Sequence, residues 1–146
     1  MVAENETKVL RALRELCAEQ PLAVRVTGDC MSPLAHDGDI VMVSRARFYW
    51  PGDVIAFRHS DGRLLMHRLI GYWPTAGGLG LITQADSSSS CEAAFGLDCV
   101  IGKVSGGDGS SSMVEVPISH RFWAVGRFVR VVADRIRLRL TNVPKL

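Results

Sequence analysis

No apolar run in this chain approaches the roughly 20 residues that a bilayer-spanning helix needs. The opening stretch, MVAENETKVLRALREL, is charged throughout and lacks the apolar centre of a secretory leader. These absences predict a cytoplasmic protein, or one peripheral at the inner membrane surface. The four cysteines, Cys17, Cys30, Cys91 and Cys99, form no C-x-x-C pair, and no histidine stands at finger spacing. A structural zinc site is therefore not expected, nor is any other metal or cofactor. In a reducing compartment the four are expected to be free thiols. There is no internal repeat, and the polar run Ser87–Ser90 is too short for a linker, so residues 1–146 are read as a single domain. Acidic residues are scarce at one end. Residues 120–146 hold only Asp134 against seven Lys/Arg, a balance of +6, whereas residues 1–119 hold 10 Lys/Arg against 14 Asp/Glu, a balance of −4. The net charge of +2 thus conceals an acidic body and a basic tail.

What is present is an ordinary globular mixture, 47% hydrophobic and 22% charged, on a chain long enough to bury a core without staples. Residues 4–20 read as an amphipathic helix. Val9, Leu10, Leu13, Leu16 and Cys17 recur at helical spacing, and Pro21 bounds them. One such helix is too little for a helix-turn-helix DNA reader. From residue 22 the period shortens. Segments 22–27, 40–46, 53–59, 63–73, 79–83, 100–105 and 113–116 are rich in Val, Ile, Leu and aromatics and are separated by Gly, Asp and Pro, so they are expected to be strands. Asp61-Gly62 marks one hairpin, and Gly106-Gly-Asp-Gly109 predicts a second. After Pro117, residues 119–140 read as a helix. Phe122, Val125, Val129, Val132, Ile136 and Leu140 form one stripe, surrounded by Arg121, Arg127, Arg130, Arg135, Arg137 and Arg139. The expected architecture is mainly β, a core of six or seven strands over 22–117 with a helix at each end.

Three spots combine reactive side chains with turn chemistry. In Gly28-Asp-Cys-Met-Ser-Pro33, a glycine that can turn tightly and a proline without an N–H bracket Cys30. Such a turn can hold a sulfur outward beside its own amide, and it can equally bury a small thiol. In Leu64-Leu-Met-His-Arg-Leu-Ile70, His67 can serve as a base near neutral pH or stand on a solvent face. In Thr83-Gln-Ala-Asp86, the aspartate can orient a histidine or simply open a polar turn.

Taken in order, these spots join three more. They are Gly38-Asp-Ile-Val-Met-Val43, Gly52-Asp-Val-Ile-Ala-Phe57 and Ile101-Gly-Lys-Val104. The series resembles the signal-peptidase and LexA-type superfamily of serine peptidases over residues 22–105. The resemblance implies a mostly β fold and a nucleophile at position 30, where this chain has cysteine in place of serine. It implies His67 as the base, as in the branch that uses a histidine-arginine pair rather than a lysine, and Asp86 or Glu92 as its assistant. Ala85 replaces the glycine usual before that aspartate. The backbone amides of Asp29 and Cys30 are then expected to hold the oxyanion, and Met31 and Pro33 to line the substrate groove. A thiol is more acidic than a hydroxyl and needs less activation.

Three functions follow as expectations. The first is a small endopeptidase that cleaves an extended leader or pro-segment through Cys30 and His67. The second is a peptidase-fold module that binds a peptide without cutting it. The third is a repressor-like core that pairs with itself and binds nucleic acid through its arginines, although sequence-specific reading is not expected. Residues 119–140 could rest on an anionic membrane, dock an acidic partner or nucleic acid, or pack their stripe on the β body.

Overall fold

A computed structural model of the chain describes residues 2–107 and 111–141. Helix α1 spans Val2–Glu19 and is followed by strand β1, Leu22–Arg25. The next strands are β2 at Ile40–Ser44, β3 at Val54–Arg58, β4 at Leu64–Thr75 and β5 at Gly78–Gln84. A two-residue strand β6, Phe95–Gly96, leads through a short 3-10 turn into β7, Val100–Gly107. One helical turn, α2 at Ser111–Val114, precedes the long helix α3, Ile118–Thr141. Among the described residues, no helix is long and apolar enough to cross a membrane.

The strands form one antiparallel sheet of seven in the order β1-β2-β7-β3-β4-β5-β6. The mainly β expectation holds, with two exceptions. Residues 113–116 do not make a strand. Met113 lies on α2 and is fully buried beneath the sheet, so its apolar side chain plugs the core instead of pairing an edge. The second expected hairpin fails with it, and its Asp108-Gly109 tip lies outside the described residues. The Asp61-Gly62 hairpin does form, closed by the bond from His59 N–H to the Arg63 carbonyl at 2.8 Å.

Because side chains alternate along a strand, each strand feeds both faces of the sheet. On one face Val41, Val43, Val54, Ala56 and Ile101 pack with Met31 and Cys17. On the other, Ile55, Phe57, Leu69, Leu81 and Val100 form a second cluster with Tyr72 and Phe95. The pairing of β3 with β4 is regular from Val54↔Arg68 to Arg58↔Leu64, so the face of every residue between them follows from its number.

Helix α3 reverses one of the expectations. Its sheet-facing side consists of Ala124, Phe128 and Val131, packed on Ile70, Ile82 and Trp73. Gly71 makes this close approach possible, since a Cβ there would come within 2.5 Å of the Phe128 ring. Three of its arginines work inward. Arg121 binds Asp53 at 3.2 Å, Arg127 binds Gln84 at 2.9 Å, and Arg135 lies 4.7 Å from the Trp73 ring centre. The stripe expected to pack on the β body therefore faces out. Phe122 is 70% exposed, and Val125, Val129 and Ile136 are exposed with it. The side chain of Leu140, the last member of that stripe, lies outside the described residues.

Candidate active site

The turn after β1 is built by short-range bonds. Gly28 takes a positive φ of 81°, which a side chain would strain, and its N–H donates to Asp37 Oδ1 at 2.8 Å. Ser32 N–H reaches back to the Asp29 carbonyl at 3.0 Å, and Leu34 and Ala35 N–H both reach the Met31 carbonyl. Met31 and Ala35 have no exposed surface and fasten the turn to the core from below. Met31 consequently cannot line an open groove, contrary to expectation. Pro33 lines a cavity of about 530 Å³, but on the side of the turn towards Arg68, Asp86 and the start of α3.

Cys30 is partly buried and packs against the core cluster beneath the turn. Its carbonyl accepts from the backbone N–H and the hydroxyl of Ser87, at 3.2 and 3.0 Å, which ties the turn to the loop carrying Asp86. The thiol donates to the Met66 carbonyl at 3.7 Å. Burial pushes the thiol above its ordinary value, and the charges of Asp29 and Asp86 push it further. The backbone N–H groups of Cys30 and Met31 face the sulfur and offset part of this rise.

His67 lies elsewhere. Met66 sits opposite Ala56 and packs with Cys30, so it belongs to the first face. His67 sits opposite Ile55 and points the other way, edge-on to Phe57 with ring centres 5.6 Å apart. The expected Cys30–His67 dyad is not assembled, because consecutive strand residues face opposite sides and the sheet stands between them. Burial lowers the imidazole below its ordinary value, Glu92 counters this, and His59 adds to it. The Nδ1 of His67 is buried without a hydrogen bond, with Glu92 Oε1 at 3.8 Å. Glu92, which also lies 3.6 Å from His59, is thus the carboxylate nearer His67.

Asp86 is engaged by another residue. Its two oxygens take Arg68 Nε and Nη2 at 2.8 and 2.6 Å, while Arg68 Nη1 donates to the Gly52 carbonyl at 2.7 Å. Arg68 is 2% exposed. The expected assistant of His67 is instead half of a buried ion pair that fastens the end of β5 and the loop before β3 to β4. Arg68 stood beside His67 in the sequence, and its own role was missed. A strand arginine flanked by apolar residues and followed downstream by an aspartate was the available signal.

An apolar groove of about 280 Å³ opens beside Cys30. The curled sheet brings Val24 and Val26 of the β1 side towards Leu64 and Met66 of β4, with Ala56 and Ile101 on the floor. Among the described residues β1 pairs only with β2, so its outer edge has no strand partner there. Among the described residues no group of His, Cys, Asp and Glu could hold a metal ion.

Together, a seven-stranded antiparallel sheet, a Gly-Asp-Cys-Met turn carrying a thiol and an apolar groove beside it define a peptidase-like β fold. A family model described as Peptidase S24-like matches residues 2–88, and the chain belongs to that family. No curated protein matches it. The matched segment contains the Cys30 turn, His67 and Asp86, and ends before Glu92, β7 and α3.

Proposed function

We propose that this domain holds an extended apolar peptide along the outer edge of β1, in the groove that ends at Cys30, without cleaving it through a Cys30–His67 pair. The observation that carries this reading is the placement of thiol and imidazole on opposite faces of β4. An open strand edge supplies backbone N–H and C=O groups for a peptide to pair with, and alternate side chains of that peptide would enter the apolar groove. The test uses synthetic peptides with apolar residues at alternate positions and small residues between them. Binding is read by fluorescence anisotropy and integrity by mass spectrometry. Bound, intact peptide is expected, with binding weakened by Val24→Asp in the groove and kept by Cys30→Ala. Peptide cut by the native chain but not by His67→Gln would overturn the reading.

A second reading, slow cleavage of a leader or pro-segment by Cys30 without His67, is favoured by the amides of Cys30 and Met31 that face the sulfur. The thiolate adds to the scissile carbonyl, the amine leaves with a proton from water, and water then hydrolyses the thioester to regenerate the thiol. With the thiol raised, such turnover climbs with pH beyond about 8.5, where an ordinary cysteine has already ionised. It is abolished by Cys30→Ala and indifferent to His67→Gln.

A further inference from the structure

Two exposed apolar surfaces lie side by side on this chain. One is the outward stripe of α3, where Ile118, Phe122, Val125, Val129 and Ile136 recur on one side of the helix. The other is the loop between β2 and β3. There Tyr49 turns inward, its carbonyl accepting from the Tyr72 hydroxyl at 2.6 Å, while Phe48 and Trp50 on either side of it stand about two-thirds exposed. The surfaces meet where the Pro51 carbonyl accepts from Arg121 Nη1 at 3.1 Å, and where Gly52 packs against Val116 and Arg121.

Charge selects what covers them. Arg45 and Arg47 are exposed beside the aromatic loop, and the Arg47 guanidinium lies 5.5 Å from the Phe48 ring centre. Arg130 is exposed on the flank of the α3 stripe, and Asp134 is the only acidic residue after position 119. A second copy brought face to face would set arginine against arginine. A nucleic acid would satisfy the arginines but leave Phe122, Val129 and Ile136 in water. Anionic headgroups above an acyl layer satisfy both, and amphipathic helices with aromatic and aliphatic residues on one side and arginines on the other bind such interfaces. We propose that α3 and the 45–51 loop dock together on an anionic lipid bilayer, with the apolar stripe, Phe48 and Trp50 inserted and the arginines at the phosphates. This proposal does not rest on the peptide reading. It would bring the Cys30 turn close to the surface, since Pro33 and Leu34 share a cavity with Trp123 of α3.

The test is flotation of the full chain with vesicles of phosphatidylcholine alone, and with about one-third phosphatidylglycerol added. The chain should float only with the anionic vesicles. Arg130→Ala should weaken that binding about five-fold, the loss expected for one arginine at an anionic surface. Phe122→Ser combined with Val129→Ser should abolish it, and Trp50→Ser should weaken it. These side chains are exposed, so unchanged circular dichroism and melting verify the fold of each variant. Val9→Ser, an equally exposed apolar change on α1, should leave flotation intact. Failure to float with anionic vesicles, or flotation unchanged in the stripe variant, would overturn the proposal. So would a dimer in lipid-free buffer that the stripe variant abolishes, because the face would then belong to a second copy.

Discussion

At position 30 a sulfur stands where the resembling peptidases carry a serine hydroxyl, and its surroundings govern what it can do. Met66 offers it a carbonyl, Asp29 and Asp86 oppose its ionisation, and His67 stands on the other face of the sheet. His67 has a different consequence. Buried and held below its ordinary value, it takes up a proton less readily in the folded chain than in an unfolded one, which does so near pH 6.5. Acidification through that value therefore favours the unfolded state, and this part of the stability is fully present only above it. Melting followed from about pH 7.5 to pH 5 should show a decline that His67→Leu makes shallower across the lower part of that window. The Arg68–Asp86 pair gives a larger effect. Removing the carboxylate strands a buried guanidinium, so Asp86→Ala should cost about 3–5 kcal/mol in denaturant unfolding. An exposed catalytic assistant would cost almost nothing.

At the scale of elements, the strands were legible because their apolar runs end at Gly, Asp and Pro. Residues 40–46 and 53–59 each contain an observed strand, and 63–73 covers all but the last two residues of β4. Two features were not legible. The Met66-His-Arg68 run shows that neighbours must face opposite ways, but only the pairing of β3 with β4 says which one faces Cys30. The α3 sequence contains a strong apolar stripe, and a helix is ordinarily expected to bury it. Here the weaker side, Ala124, Phe128 and Val131, is the one buried, because Gly71 admits Phe128 and Arg121, Arg127 and Arg135 find partners on the sheet. Gly71→Ala should consequently loosen α3 from the sheet, with a stability loss of about 1–3 kcal/mol and faster proteolysis within 118–141.

Across the whole molecule, the order of six short motifs was enough to indicate the family, and the match over residues 2–88 agrees with it. The charge division between residues 1–119 and 120–146 was equally readable. The assembly of the site was not, since it depends on which face of one strand each of two adjacent residues takes. The structure has a peptidase-like fold and an apolar groove beside Cys30, while its thiol and imidazole lie on separate faces. That separation is tested most directly by titrating Cys30 itself. The rate of its alkylation is followed against pH by mass spectrometry of the Cys30 peptide, in the native chain and in His67→Gln. The account predicts a titration above the ordinary thiol value of about 8.5, identical in the two proteins. A thiolate already formed near pH 7, and lost in His67→Gln, would contradict it.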